Sequence, residues 1–435
     1  MQRGKIMNKH VGVLLTIAVA AIFLTALSAN AVSYTLNIYG NANMDDTIDE
    51  SDIEYVQGII DGTKDKTELA DANYDGTIDE MDINQIQLII DGTDEFLIVP
   101  DDTGNSIRIP MPVKSYVYHG HNNFVYETLR AIYASDKIIG ITDRYVTPGG
   151  MRYSETYFPE LLNGVENIGD LQAINYEVIN NLKPDVVFTD AGEYYDPTKT
   201  PDIPVVAMDV NIKNSKEACM IYGYILDKVS EAKDYVDWMN ALEDEILDRT
   251  KTIPESKKPL VYLGSYSLDT TSFGVPAKDN YQSVMVRSAG GKCIGDEIEG
   301  SGSLSVDAEW IISRNPDVII FTAGSAILQD GKRMGYDMAN AQNVTKAIDE
   351  FMKRPEFANV NAVKNKKIFM VSHNYINCGG ASGLIGTLYY AKWLHPDYFA
   401  DMDAQAIHQE FVTRFQHLDL DVTKSVCVYP PPQNK

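Results

Sequence analysis

From residue 96 onward, short apolar runs alternate with longer amphipathic stretches. The runs are rich in β-branched residues and are apolar throughout, which is typical of parallel strands covered by helices on both faces. The first set of runs lies at residues 115–118, 137–141, 185–189 and 205–208, and the second at 260–264, 317–321 and 367–371. The pattern predicts an α/β protein with two lobes, each built on a parallel sheet.

The stretch between the two sets, residues 215–249, has the pattern of one helix. Ser215 is a suitable N-cap, Pro254 follows the stretch, and Gly223 is the only glycine within it. About 35 residues at about 1.5 Å each span about 50 Å, which is more than one lobe needs. The predicted segments are a first lobe at 95–213, a long bridging helix at 214–252 and a second lobe at 253–430.

The N-terminus has the layout of a secretory signal peptide. Arg3, Lys5 and Lys9 precede an apolar run at residues 11–27, and small residues follow at 29–31. We predict cleavage after residue 31 and export of the remaining chain. An uncleaved membrane anchor is the alternative, since the apolar run is almost long enough to span a bilayer.

Two segments, 41–52 and 71–82, repeat the same oxygen-bearing pattern 30 residues apart. Side-chain oxygens at loop positions 1, 3, 5, 9 and 12, with a carbonyl at position 7, give the ligand spacing of an EF-hand-type calcium loop. The predicted ligands are Asn41, Asn43, Asp45, Thr47, Asp49 and Asp52 in the first loop and Asp71, Asn73, Asp75, Thr77, Asp79 and Asp82 in the second. Gly76 supplies the sharp turn at position 6, where the first loop has Asp46, so the second loop should bind Ca²⁺ more readily. Its carboxylate metal ligands are Asp71, Asp75 and Asp82.

A short apolar helix is predicted after each loop, and each ends at an Asp-Gly pair, Asp61-Gly62 or Asp91-Gly92. No helix precedes the first loop, so these are loop-helix halves. The duplicated unit at 36–94 resembles a type I dockerin module. The resemblance implies a small all-α module that binds two Ca²⁺ ions and recognises a cohesin domain on a partner.

A second repeat relates the two lobes. Residues 177–188 match residues 309–320 at an offset of 132 residues, and in each copy Pro follows a helix and a buried strand follows Pro. Ligands of such sheets bind beyond the carboxyl ends of the strands, so two facing lobes form a cleft.

Several motifs occur in a characteristic order. They are Asp102-Thr103-Gly104-Asn105, Ile109-Pro110, Glu127-Thr128-Leu129, Ile139-Gly140-Ile141, Asn167-Ile168-Gly169 and Leu182-Lys183-Pro184-Asp185. Over about residues 96–415 this order resembles the helical-backbone (class III) ABC solute-binding proteins. The resemblance implies two Rossmann-like lobes, an ABC permease partner, and a ferric siderophore, haem or cobalamin as cargo. In that family one glutamate per lobe meets arginines of the permease, and Glu177 and Glu309 occupy these positions here.

The loops after the strands should line the ligand pocket. Candidate ligand-binding residues are His119, His121, Asn122, Arg144, Tyr145, Asp190 and Tyr194 in the first lobe and Tyr266, Ser303, His373 and Tyr375 in the second. Aromatic rings and amides suit a large, partly apolar chelate. Arg144 is the only arginine in these loops, which is unlike siderophore binders that carry several.

The net charge of −25 disfavours nucleic acid as a partner, since phosphate recognition needs clustered Lys and Arg. Four cysteines without CxxC spacing give no zinc-ribbon or redox motif. Two arrangements stay open, a disulfide between Cys293 and Cys378 or four buried thiols.

Three alternatives compete with the importer subunit. The first is a direct Zn or Mn carrier that uses His119, His121 and His373. The second is a dockerin-bearing secreted enzyme, although the sequence has no G-x-S-x-G, HExxH or P-loop motif. The third is a surface scaffold without a small ligand. We predict a non-enzymatic, secreted binding protein at the extracellular face of the membrane or in the periplasm.

Overall fold

A computed structural model of the chain describes residues 34–211, 213–266, 271–323, 334–376 and 378–430. The predicted signal peptide at 1–31 lies outside these residues. None of the helices in these ranges has the length and hydrophobicity that a membrane span requires.

The secondary structure alternates strands and helices after an α-helical start. The helices are α1 (Glu50–Ile60), α2 (Glu80–Asp91), α3 (Asn123–Ala131), α4 (Asp143–Val146), α5 (Tyr176–Leu182), α6 (Ser215–Leu226), α7 (Val229–Thr250), α8 (Tyr281–Ser288), α9 (Ala308–Arg314), α10 (Gln342–Met352), α11 (Asn361–Lys364), α12 (Gly380–Leu394) and α13 (Ala404–Glu410). The strands are β1 (Phe96–Pro100), β2 (Ser106–Pro110), β3 (Tyr116–His119), β4 (Ile138–Ile141), β5 (Glu166–Asn167), β6 (Val186–Thr189), β7 (Val205–Ala207), β8 (Leu260–Ser265), β9 (Phe273–Pro276), β10 (Lys292–Cys293), β11 (Ser303–Val306), β12 (Val318–Ala323), β13 (Ile368–Ser372) and β14 (Val428–Tyr429).

Each lobe contains a five-stranded sheet. The first has the order β5-β4-β3-β6-β7 and is parallel throughout, and the second has the order β10-β8-β12-β13-β14, in which only β14 is antiparallel. All seven predicted strands occur within two residues of the predicted bounds. They are buried on both faces by helices, which explains their continuous apolar sequence.

The predicted internal repeat is present in the backbone. The helices α5 and α9 end at left-handed residues, Lys183 with φ 52° and Asn315 with φ 48°, and the strands β6 and β12 follow. Asp185 and Asp317 precede these strands. Each accepts a backbone N–H from the start of the adjacent strand segment, at 2.9 and 3.1 Å. The two halves therefore use the same side chains to join helix to sheet.

The single bridging helix predicted over 214–252 is wrong, because two helices occupy this segment. Asp227 takes a left-handed conformation with φ 56° and separates α6 from α7. Gly223 lets the two helices pack closely, since a Cβ there would lie 2.6 Å from Cβ of Ala232. The second helix, α7, spans about 33 Å and contacts α3 of the first lobe and α8 and α12 of the second. It is the helix that links the lobes.

The duplicated segment forms the predicted loop-helix halves, and α1 packs against α2. Asp49 and Asp79 cap these helices in matching capping boxes with Asp52 and Asp82. The described residues from Tyr34 onward form one compact unit, so this module packs directly on the first lobe. The hairpin of β1 and β2, which the sequence pattern did not predict, connects them. All four cysteines are free, so the disulfide alternative is not realised.

Candidate functional site

The two sheets present their carboxyl ends to a common region between the lobes. The loop after β3 and the loop after β13 meet there, because the side-chain amide of Asn123 donates to the carbonyl oxygen of Asn374 at 2.8 Å. Both asparagines are buried. The site is therefore assembled from strand ends of both lobes, as parallel sheets favour.

Asp190, at the end of β6, organises the first-lobe loop. Its carboxylate accepts hydrogen bonds from the Tyr118 hydroxyl at 2.6 Å and from the backbone N–H groups of His121 and Asn122 at 3.0 and 2.9 Å. The Nδ1 atom of His121 lies 3.3 Å from the same carboxylate. Burial acts to raise the pKa of Asp190, but the bonds and charge from His121 outweigh it and leave the pKa below its usual value. Asp190 holds the loop in place and orients His121.

Two of the predicted pocket residues in this lobe remain accessible. The His121 side chain is 43 % exposed and Tyr194 is 44 % exposed. Asn122 is half-buried at the N-cap of α3. These residues can meet a ligand without rearrangement of the loop.

The predicted roles of His119 and Tyr145 as ligand contacts are wrong. Both are fully buried. The two ring nitrogens of His119 bond to the Thr189 hydroxyl at 2.9 Å and the Leu171 carbonyl oxygen at 3.1 Å, and burial lowers the pKa of His119. Tyr145 packs edge-on against Phe158 with ring centroids 5.6 Å apart. Both side chains support the loop from beneath.

The Arg144 guanidinium forms an ion pair with Asp170 at 3.0 Å, so its charge is not free to bind a ligand. The hydrogen bond from Arg144 is the main reason that the pKa of Asp170 is lowered. The cation is therefore neutralised within the first lobe.

In the second lobe, the predicted contacts Tyr266 and Tyr375 are core residues, which corrects their assignment. Tyr266 packs on Phe321 with centroids 5.7 Å apart, and Tyr375 packs on Tyr157 at 5.0 Å. Ser303 is exposed on β11, which pairs with β9 in a two-stranded antiparallel sheet. The Tyr266 ring packs within the second lobe, and the Tyr375 ring packs between the two lobes.

His373 follows β13 and lies on the second-lobe side of the site. Burial, with a smaller effect of the Arg152 charge, lowers the pKa of His373 to about 4. The imidazole is therefore neutral at physiological pH.

Arg152 also lies between the two lobes at this site, and the sequence pattern did not predict it. Its Nε donates to the His121 carbonyl oxygen at 3.0 Å, and its Nη1 donates to the Asn374 side-chain oxygen at 2.5 Å, so it joins both lobes. Only 8 % of the residue is exposed. The loop folds back because the Arg152 N–H donates to the Arg144 carbonyl oxygen at 2.9 Å, next to the turn at Gly149 with φ 85°. The preceding Pro-Gly-Gly was the available sequence sign of this turn.

The three candidate histidines do not form a metal centre. Within the described ranges, no group of three or more His, Cys, Asp or Glu side chains stands in position to hold a metal ion, and this includes the predicted carboxylate ligands Asp71, Asp75 and Asp82. His119 is buried with both nitrogens engaged, and His121 pairs with Asp190. The arrangement therefore disfavours a bare Zn or Mn carrier.

The duplicated loops offer a different kind of donor set, made of amide, carbonyl and carboxylate oxygens. The position-12 carboxylates point back toward the start of their loops. Asp52 accepts a hydrogen bond from the Asn43 N–H at 3.0 Å, and Asp82 accepts one from the Asn73 N–H at 3.1 Å. Burial raises the pKa of Asp52 to about 6 and also raises that of Asp82. Gly76 takes φ 91°, which is the sharp turn expected at position 6. All-oxygen donors suit a hard cation such as Ca²⁺.

The proposed docking residues occupy equivalent places. Glu177 lies in the first turn of α5 and Glu309 in the first turn of α9, and both are exposed. The internal repeat thus presents one carboxylate on each lobe.

A groove of about 470 Å³ lies away from the interlobe contact, between the β1–β2 hairpin and strand β7. Its lining includes Arg108, Tyr195 and Asp202. Thr189 at the end of β6 and Ala207 at the end of β7 also line it, so the groove reaches the strand ends of the first sheet.

Comparison with known proteins shows where this architecture recurs. Residues 122–375 match the family model described as periplasmic binding protein. The molybdate-binding protein MolA of Haemophilus influenzae is 22 % identical over 346 residues, which cover 73 % of this chain and 90 % of MolA. An uncharacterised ABC transporter substrate-binding lipoprotein of Bacillus subtilis, YvrC, is 24 % identical over 283 residues, 63 % of this chain and 78 % of YvrC.

Solved structures share the fold at low identity. The TroA-like periplasmic binding protein FepB of Veillonella parvula superposes with a TM-score of 0.62 at 20 % identity, covering 76 % of this chain and 98 % of FepB. Molybdate-bound MolA gives a TM-score of 0.57 at 20 % identity and covers 74 % and 98 %.

Proposed function

Because the chain belongs to the periplasmic binding protein family and is the substrate-binding component of an ABC transporter, we propose that it captures a metal chelate bearing an anionic group between its lobes. The chelate is an iron–siderophore complex, haem or a corrinoid. The observation that carries this proposal is Arg152, a buried cation held between His121 and Asn374 of opposite lobes. The relatives are solute-binding proteins, and we propose no catalytic role.

The chemistry of the site favours a ligand with both charge and apolar surface. Arg152 offers a guanidinium for a carboxylate, hydroxamate or phosphate group, and such charge-assisted bonds are the stronger ones. His121 is oriented by Asp190, and the exposed ring of Tyr194 offers an apolar face. Contacts to the ligand from both lobes would hold the two lobes closed around it.

A small oxyanion is the second candidate. The relative MolA is named for molybdate binding, and Arg152 is 8 % exposed, which favours a compact ligand over a wide macrocycle. The two candidates share an anionic group facing Arg152 and differ in size.

A thermal-shift screen of the purified protein in Ca²⁺ distinguishes them. The probes are ferric hydroxamate and catecholate chelates, haem, cobalamin, molybdate, Zn²⁺ and Mn²⁺. Saturating binding at a hundred times Kd raises stability by about 2.7 kcal/mol. A shift with a chelate supports the proposal, a shift with molybdate alone selects the second candidate, and no shift with any anionic probe contradicts both.

The role of Arg152 is tested by calorimetric titration of the probe that binds. Arg152→Ala should weaken binding by on the order of ten- to hundredfold, since bonds to charged groups contribute about 1.5–3 kcal/mol. Arg152→Lys should restore part of the affinity. Arg144→Ala is the matched control, because Arg144 is already paired with Asp170. Equal affinities in Arg152→Ala and the wild type would show that the ligand binds elsewhere.

We also propose that the loop-helix module binds Ca²⁺ and tethers the protein through a cohesin domain. Two in-register loops with all-oxygen donor sets support this. Calorimetry should show two bound Ca²⁺ ions, and Asp82→Ala should remove one of them. A protein that takes up no Ca²⁺ would refute the tether.

Glu177 and Glu309 are proposed to dock the loaded protein on its permease. The double change Glu177→Lys and Glu309→Lys should abolish transport and leave ligand affinity unchanged. Glu166→Lys with Glu299→Lys is the control, because these glutamates are also exposed, one on each lobe. Loss of ligand affinity in the docking variant, or normal transport, would refute the assignment.

A further inference from the structure

The first calcium-loop candidate is held by a residue of α6, the helix that packs against α3 of the first lobe. The backbone N–H of Ile48 donates to the Tyr224 hydroxyl at 3.0 Å, and the Thr47 hydroxyl lies 3.5 Å from the same oxygen. Tyr224 belongs to α6. The Asn37 side chain also donates to Glu217 of α6, at 2.5 Å.

The second loop lacks this setting. Ile48 is buried, whereas Ile78, its counterpart 30 residues later, is partly exposed. Residues 74–77 of the second loop are exposed. The two loops have nearly the same pattern, but only the first is built against α6 among the described contacts.

Apolar packing joins the same surfaces. Leu36, Ile38 and Val56 of the module lie in one buried cluster with Met220 and Ile221 of α6. The module is therefore joined to α6 by hydrogen bonds and by a shared buried cluster, so we expect a change in the order of the module to extend to α6.

One peptide unit links the proposed metal to Tyr224. The carbonyl of Thr47 would be the position-7 ligand of the loop, and the N–H bonded to Tyr224 belongs to the next residue, so both groups are part of the same planar unit. Holding the N–H orients the carbonyl toward the loop. If the carbonyl oxygen bound a cation, the peptide unit would be polarised and its N–H would become a stronger donor to Tyr224.

We propose that Ca²⁺ in the first loop is coupled through Tyr224 to the order of α6, so that the module is a calcium-dependent brace of the first lobe as well as a tether. This rests on the proposed calcium binding. The second loop then serves the module alone, although its Gly76 gives it the better turn.

Tyr224→Phe tests the coupling, because it removes the acceptor and keeps the ring. In calorimetric titration of the full chain, it should weaken one Ca²⁺ site by about two- to tenfold, the worth of one neutral hydrogen bond, and leave the other unchanged. Tyr133→Phe, at an exposed tyrosine of the same lobe, is the control. Unchanged affinity at both sites would overturn the proposal.

Hydrogen exchange supplies a second measurement that leaves Tyr224 in place. In the wild type, Ca²⁺ should slow exchange of α6 amides relative to chelator-treated protein. Asp52→Ala should lose this protection and Asp82→Ala should keep it. If two Ca²⁺ ions bind without any protection of α6, only the proposed coupling to α6 is overturned. If no Ca²⁺ binds, both that coupling and the proposed calcium-dependent attachment to cohesin are overturned.

Discussion

Replacing Glu127 with glutamine perturbs one of the polar contacts that join the two lobes. Glu127 lies on α3 and is almost completely buried. Its two carboxylate oxygens accept from the Tyr157 hydroxyl and from the Ser382 hydroxyl of α12, both at 2.9 Å. Glutamine has the same shape and can bond to both hydroxyls, so the change removes the titration and keeps the contacts.

The magnitude follows from the pKa. Burial raises the pKa of Glu127 from 4.5 to about 7, against the bonds and nearby arginines that lower it. The folded protein therefore keeps a proton that the unfolded chain has lost between these two pH values. The retained proton stabilises the folded state fully below pH 4.5, which is the pKa of Glu127 in the unfolded chain. This stabilisation is lost as the pH rises to about 7, the pKa in the folded protein. At about 1.36 kcal/mol per pH unit, the loss is on the order of 3 kcal/mol.

Urea unfolding of the wild type and Glu127→Gln over a pH series measures the effect. The difference between the two proteins cancels the contributions of all other titrating groups. The variant should gain up to about 3 kcal/mol relative to the wild type between about pH 4.5 and pH 7, with no further change above. A difference that stays constant with pH would refute the assignment of this titration to Glu127.

Further predictions concern the core. Gly223→Ala should destabilise the fold by about 1–2 kcal/mol in urea unfolding, since overpacking against Ala232 outweighs the gain in helix propensity, and adding Ala232→Gly should restore stability. Equal stability of the single variant would contradict the tight α6–α7 contact. His408 is buried and bonds to Tyr336 at 2.7 Å, and burial lowers its pKa to about 3. Stability should therefore fall as the pH drops from about 6.5, and His408→Gln should flatten this acid limb in thermal unfolding.

Much of the fold could be predicted from the sequence because its causes are local. Continuous runs rich in β-branched residues predicted the positions of the strands. The repeat around Lys183-Pro184 and Asn315-Pro316 predicted two equivalent helix–strand units. The break between α6 and α7 could not be predicted from the sequence. It depends on the left-handed conformation of Asp227 and on the contact of Gly223 with α7, which comes later in the chain.

The site was harder to predict because burial decides which strand-end residues face a ligand. His119 and His121 are two residues apart, yet one is buried and the other is accessible. Arg152 lies in a long loop far from any predicted strand end, and only the fold brings it to Asn374 of the other lobe. Sequence position alone carries no information on such a contact.

The most direct test of the account is hydrogen exchange of the protein with and without the probe that binds in the ligand screen. If the ligand lies between the lobes, the loop after β3 at His121 and the loop after β13 at Asn374 should become protected together, and Arg152→Ala should reduce both effects. Protection confined to one lobe, or to the groove beside β7, would contradict binding between the lobes.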